Sequence, residues 1–300
     1  MTAPLRWAVI GVGTAGRARA HAIQADPRCV LVAVHRGRHA NTLGVPTLSL
    51  EDAIAAADAV AVCSPSEAHP AQVAAVLAAG RHVVVEYPLA PDADTAARLF
   101  DTARAAANAG PRVLHEEHIE LLGGAAVVLR ASVRPAEVTA ATVTFTSPTP
   151  AAASKAPGAL ARHNHARLHR LVDVAGPVAA VLAVTPSSEG AIARLDATLQ
   201  LVSGARVHLD FRHGPGLPRS TTLTFHTPAA TWRQVDAVIT RDDVPVPVPD
   251  VGPLFALDHA LAVARILDGA PPPVPEARLL HVLRVVDALA AARLGPLSPT

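Results

Sequence analysis

Over residues 7–118, short unbroken apolar runs alternate with longer stretches whose apolar positions recur every three or four residues. The runs at 7–11, 30–35, 59–63, 82–86 and 112–115 predict strands. The segments 16–25, 50–57, 70–79 and 91–109 predict helices, the last two ended by Gly80 and Gly110. Strands apolar at nearly every position are covered on both faces. Their alternation with helices predicts a parallel, doubly wound sheet.

The pattern changes in the second half. Period-2 alternation at 138–146, 191–202, 206–212, 221–227 and 232–240 predicts strands with one face on a core and one face open. Helices are expected at 119–130, 160–171, 255–267 and 276–294, and 244–253 reads as an extended, proline-rich connector. The expected fold is an α/β Rossmann domain over residues 1–122. An α+β domain with a mostly antiparallel sheet and closing helices would follow over 123–300.

The turn after the first strand is Gly11-Val12-Gly13-Thr14-Ala15-Gly16. A G-x-G-x-x-G stretch between a strand and a helix is the dinucleotide fingerprint. The first glycine makes the turn, the second admits a pyrophosphate, and the third lets helix pack on strand. The helix N-terminus presents N–H groups to the phosphates. The second strand ends in His35-Arg36-Gly37-Arg38-His39, with no carboxylate to hold a ribose 2′-hydroxyl. Two guanidiniums suit a 2′-phosphate, so NADPH is the expected cofactor and NADH the weaker one. Ser64, Pro65 and His69, in and after the loop that follows the third strand, are further cofactor candidates. Pro65 and Ser66 read equally as an ordinary helix entry.

Composition narrows the classes. Net charge is +1, which argues against an electrostatic nucleic-acid binder. Cys29 and Cys63 read as reduced, buried thiols. No signal-peptide pattern and no membrane-length apolar run is visible, so a cytoplasmic protein is expected, as monomer or homodimer.

Three clusters carry candidate chemistry. Glu86-Tyr87-Pro88 follows the fourth strand, where a large dehydrogenase superfamily carries Glu-Lys-Pro with a proton-moving lysine. The chain's single lysine is Lys155, far away in sequence. His115-Glu116-Glu117-His118-Ile119-Glu120 reads as an acidic helix start, as cleft carboxylates that keep a proton available, or as metal ligands. Of these, no metal is the expectation. The third cluster is His163-Asn164-His165-Ala166-Arg167-Leu168-His169-Arg170. It reads as a site for an acidic substrate, with Arg167 and Arg170 meeting carboxylates, or as a solvated helix face.

The stretches 83–89 and 113–122 closely resemble motifs of the NADPH-dependent biliverdin reductase family. Weaker likeness continues at 166–172, 214–219, 255–258 and the final helix. The chain differs in being only 3% aromatic. The resemblance implies reduction of biliverdin to bilirubin: a hydride goes to the central methine carbon and a proton to a pyrrole nitrogen. No alcohol is oxidised, so no lysine base is needed. By matching positions, Tyr87 would lie near nicotinamide and bilin. Glu86, Glu117 and Glu120 would position or relay protons, with Glu86 also near the cofactor, and Arg167 would approach the bilin's propionates or nitrogens. Two other readings stand beside it. One is a sugar or cyclitol dehydrogenase of the wider superfamily, which the missing lysine disfavours. The other is a non-catalytic NADPH-binding sensor.

Overall fold

A computed structural model describes residues 3–37, 39–105, 110, 112–148 and 158–297. The chain forms two compact units. The first holds residues 1–119 and 252–276, the second 120–251 and 277–300.

In the first unit the order is β1 (Leu5–Ile10), α1 (Thr14–Ala25), β2 (Cys29–His35), α2 (Leu50–Ala56), β3 (Ala59–Val62), α3 (His69–Ala78), β4 (His82–Val85), α4 (Ala93–Ala105) and β5 (Leu114–Glu116). The five strands are parallel, in the order β2-β1-β3-β4-β5. Strand order reverses between β1 and β3, which places the ligand crevice beyond their carboxyl ends. Every residue of β3 is buried, as the unbroken apolar runs predict. Ser49 caps α2: its hydroxyl accepts from the Asp52 amide at 3.1 Å and donates to the Asp52 carboxylate at 2.7 Å.

The second unit contains α5 (Gly124–Ser132), β6 (Ala140–Ser147), α6 (Ala159–His163), α7 (His165–Ala175), β7 (Val178–Glu189), β8 (Ile192–Leu201), β9 (Arg206–His213), β10 (Ser220–His226), β11 (Thr231–Val235), β12 (Val238–Arg241) and β13 (Val244–Val246). After α8 (Leu254–Asp268) the chain closes with α9 (Glu276–Ala290) and β14 (Gly295–Pro296). The nine-stranded sheet has the order β13-β12-β11-β10-β6-β9-β8-β7-β14. It is antiparallel except for the β6–β9 pair. One face carries Val143, Phe145, Leu195, Leu209 and Phe211 into a core shared with α7 and α9. On the other face Arg194, Asp196, Asp210 and Arg212 of β8 and β9 form an ion-pair ladder.

Four expectations are corrected. Strand β7 is not visible in the hydrophobic pattern, because bulges near 178–180 and 181–183 break its alternation. The predicted strand 232–240 is a hairpin, β11–β12, turning at Asp236-Ala237 with Asp236 at φ 51°. The predicted helix 119–130 is a single 3₁₀ turn, Ile119–Leu121, followed by α5. A β-carbon on Gly124 would lie 2.0 Å from the Pro249 carbonyl, so the crossing chain requires glycine at this helix start. The fourth correction concerns 252–276, which the pattern assigns to the second domain. Ala262 and Val263 of α8 instead join the buried core of Trp7, Val9, Ile23 and Val34 in the first unit.

Candidate active site

The glycine-rich turn is built as the fingerprint requires. Gly11 has φ +86°, and a β-carbon there would come within 2.6 Å of the Ser64 backbone. A β-carbon on Gly16 would lie 2.1 Å from the Gly11 carbonyl. A β-carbon on Gly13 would meet nothing within 4 Å among the described residues, which leaves that side of the turn open to a phosphate. Thr14 is exposed and Ala15 half-buried at the first turn of α1.

The end of β2 is bound to this turn. The Gly11 and Val12 amides donate to the His35 and Arg36 carbonyls, both at 2.8 Å. Gly37, overlooked in the sequence, has φ +132°, and a β-carbon there would lie 2.4 Å from the Val12 nitrogen. Arg36 is exposed with φ 53°. Arg38 lies outside the described residues. The His35 ring is 2.9 Å from the Leu48 carbonyl, so it fastens the neighbouring chain.

His69 is buried, with ring nitrogens 2.8 Å from the Pro88 carbonyl and 2.8 Å from the Ser64 carbonyl. The ring therefore sits between the loops after β3 and β4 and ties them through their backbones, a neutral ring donating its one N–H to one of the two carbonyls. Ser64 donates to Gln72 at 2.5 Å, and Pro65 is exposed beside it.

Beyond β4 the Tyr87–Pro88 peptide is cis, and Tyr87 is half-buried. Glu116, at the end of β5, accepts from the Leu89 amide at 2.7 Å and so fixes that loop. Glu117 is fully buried. One of its oxygens accepts from the Ile119 amide at 2.6 Å, and the other has no hydrogen-bond partner among the described residues. Glu86 lies 3.4 Å from the Arg19 guanidinium. Arg19 is completely buried and lies 2.7 Å from Asp258 of α8, whose other oxygen is 3.0 Å from His115.

The first unit thus gathers three carboxylates, Glu86, Glu117 and Asp258, around one guanidinium. Burial raises the proton affinity of Glu86 against the pull of Arg19. Burial, then the Glu86 and Asp258 charges, push Glu117 well above the usual carboxylate range. Burial alone would raise Asp258 too, but His115 and Arg19 hold it far below that range. The arrangement favours the neutral form of Glu117 over its carboxylate, and a carboxyl group that holds its proton is a requirement for proton donation.

The second unit holds a cationic cluster. The Arg167 guanidinium stacks over the Phe145 ring at 4.0 Å and lies 3.5 Å from Glu120, which is partly exposed. Arg219, from the turn before β10, is 5.7 Å from the same ring. His213 meets Phe145 edge-on, and His163 stacks on His213. Burial, then His163 and Arg167, lower His213 to about 4. Arg170 does not join this group. Its guanidinium donates to the Glu120 carbonyl at 2.7 Å and to Gln234 at 2.5 Å, so it is spent on packing. Arg219 and His213 escape sequence reading because their partners lie more than 40 residues away.

An oxidoreductase family model with an NAD-binding Rossmann fold, GFO_IDH_MocA, matches residues 5–114. Mouse biliverdin reductase A is 30% identical over 274 residues, covering 86% of this chain and 90% of its own. The human protein is 29% identical, covering 77% and 78%. The structure of biliverdin reductase from Synechocystis sp. PCC 6803, in complex with biliverdin and NADP+, superposes with a TM-score of 0.82 at 26% identity, covering 96% of this chain and 99% of that one. WlbA dehydrogenase of Bordetella pertussis shares the fold, with a TM-score of 0.83 at 20% identity and coverage of 100% and 99%. The chain belongs to the GFO_IDH_MocA family of NAD(P)-dependent oxidoreductases and, within it, to the biliverdin reductases.

Proposed function

We propose that the protein reduces biliverdin to bilirubin with NADPH. The observation that carries this reading is Glu86-Tyr87-Pro88, which puts a tyrosine where a carbinol-oxidising enzyme needs a base, beside a buried, proton-retaining carboxylate pair. NADPH supplies the hydride when bound. Gly11, Gly13, Thr14, Ala15 and Gly16 form the phosphate cradle, Arg36 and Arg38 meet the 2′-phosphate, and Ser64 and Pro65 line the groove beyond. His69 serves the same site indirectly, by holding both loops.

Tyr87 orients the conjugated acceptor, because a phenol with a pKa near 10 is a weak acid at pH 7. The Glu86–Glu117 pair holds the proton that ends on the pyrrole nitrogen. Arg167 and Arg219 offer guanidiniums to the acidic arms of the substrate, and Glu120 orients Arg167. The deciding experiment mixes protein and biliverdin with NADPH and, in parallel, with NADH. The red absorbance of the bilin should give way to a yellow product, faster with NADPH. An unchanged spectrum under saturating NADPH would refute the activity. Equal or better rates with NADH would refute the role given to Arg36 and Arg38.

A further inference from the structure

A charged side chain at zero exposure needs an explanation. Arg19 sits in α1 on the fingerprint helix, and its side chain is 0% exposed. Burying a guanidinium costs several kcal/mol unless partners repay it, and a well-packed apolar side chain often serves stability as well. Three partners surround this one. Asp258 lies at 2.7 Å, Glu86 at 3.4 Å, and the Phe255 ring at 5.2 Å from the guanidinium carbon. Phe255 and Asp258 are three residues apart on α8, so a single helix turn supplies both the aromatic face and the counter-charge.

The two carboxylates are not equivalent. Asp258 takes the shorter contact and is itself fixed by His115 at 3.0 Å, whose other ring nitrogen is 3.3 Å from Arg265. Glu86 takes the longer contact and keeps 15% side-chain exposure at the end of β4. Two acids therefore compete for one cation, and the acid outside the nicotinamide site holds it more tightly. The groups facing Glu86 are Arg19 from α1, the Cys63 thiol after β3 at 3.8 Å, Glu117 after β5, and Asp258 from α8.

We infer that Arg19 is a positioning residue that aims the Glu86 carboxylate, and that Asp258 sets how much of the Arg19 charge reaches it. The inference deepens the reading of Glu86 as a proton-handling group and rests on it for its catalytic meaning, though not for its electrostatics. With Asp258 present, Arg19 is largely neutralised and Glu86 retains a proton more readily. Without Asp258, the full guanidinium charge falls on Glu86 and favours its ionised form. Without Arg19, Glu86 faces Asp258 and Glu117 with no cation and favours its neutral form.

Opposite shifts from the two substitutions are the signature, because a merely structural role predicts no ordered pair of signs. The test uses the full chain carrying Glu117→Gln, so that Glu86 titrates without its coupled neighbour. Glutamate 13C labels are followed by NMR against pH, with Glu86→Gln providing the assignment. Asp258→Asn should lower the Glu86 midpoint by about one pH unit or more, and Arg19→Met should raise it by a similar amount, the scale of one charge within contact range. If Arg19→Met fails to fold, the double variant Arg19→Met/Asp258→Asn removes both charges together and should leave the midpoint closer to the parent than Asp258→Asn does. A folded Asp258→Asn protein with an unmoved or raised midpoint overturns the inference. The pH profile of biliverdin turnover in the single variants should shift in the same two directions. If no biliverdin turns over but the midpoints move as stated, the substrate reading fails and the electrostatic inference stands.

Discussion

At the scale of single residues, the site is a division of labour among carboxylates that look alike in sequence. Glu116 fixes a loop, Glu117 is buried with one oxygen unbonded among the described residues, and Glu120 faces Arg167. Which glutamate does which follows from burial and partners, so the His115–Glu120 stretch announces a site without assigning its roles. Tyr87→Phe should slow biliverdin turnover less than about tenfold if the ring orients the acceptor, since loss of a true general acid costs at least about a hundredfold. Steady-state rates at saturating NADPH decide between these, and a loss above a hundredfold with cofactor binding intact would make the hydroxyl the proton source. Arg36→Ala should raise the KM for NADPH while leaving that for NADH nearly unchanged. Equal increases for both would show that the guanidinium does not read the 2′-phosphate.

At the scale of elements, the fingerprint turn makes a graded prediction. Gly11→Ala and Gly16→Ala drive a β-carbon into backbone at 2.6 Å and 2.1 Å, and should unfold or distort the first unit. Gly13→Ala meets nothing within 4 Å and has an ordinary φ of −87°, so it should cost at most about 1 kcal/mol in stability as a helix N-cap change. It should nonetheless weaken NADPH binding, because the new methyl stands where the phosphates approach. Thermal unfolding and cofactor titration of the three variants test this, and an unaffected NADPH affinity in Gly13→Ala would sink the cradle. The turn, its helix and the parallel strands were legible because each is a local pattern. Strand β7 was not, because its bulges destroy the period that reveals a strand. The helix that carries Arg167 was legible, but its split at Asn164 was not. There the Asn164 side chain donates through Nδ2 to the Leu160 carbonyl at 2.8 Å, while its backbone N–H turns to the Ala161 carbonyl at 3.1 Å, contacts that no periodicity records.

At the scale of the whole molecule, buried histidines tie stability to pH. Burial, with Arg19 close to His259 and with His163 and Arg167 close to His213, holds both rings near 4, below the ordinary value of about 6.5. Their folded proton affinity is depressed, so the unfolded chain binds more protons below pH 6.5. The stability they contribute is complete above that pH and falls away as the pH drops toward 4. Each should cost on the order of 1–2 kcal/mol between pH 6.5 and 5, and replacement of either by a neutral residue of similar size should flatten that slope. Denaturant midpoints of the parent and of each variant at pH 7 and pH 5 measure it. Glu86 and Glu117, with raised proton affinity, act with the opposite sign in parent and variant alike, so a variant whose slope equals the parent's would contradict the assignment for that histidine. No helix among the described residues is long and apolar enough to cross a membrane.

By itself, the sequence determined the parallel dinucleotide-binding sheet, the glycine turn, the mostly antiparallel second sheet and the substitution of tyrosine for lysine at position 87. Each is written in neighbouring residues, through periodicity, turn chemistry or a short motif. Only the tertiary structure decided that α8 packs with the first unit and brings Asp258 to Arg19. It alone decided that Arg170 is bound in packing while Arg167 lies over Phe145, and that His69 clamps two loops. Those outcomes join residues tens to hundreds of positions apart, and the energies that select them, desolvation and charge pairing, act through space and leave no local pattern.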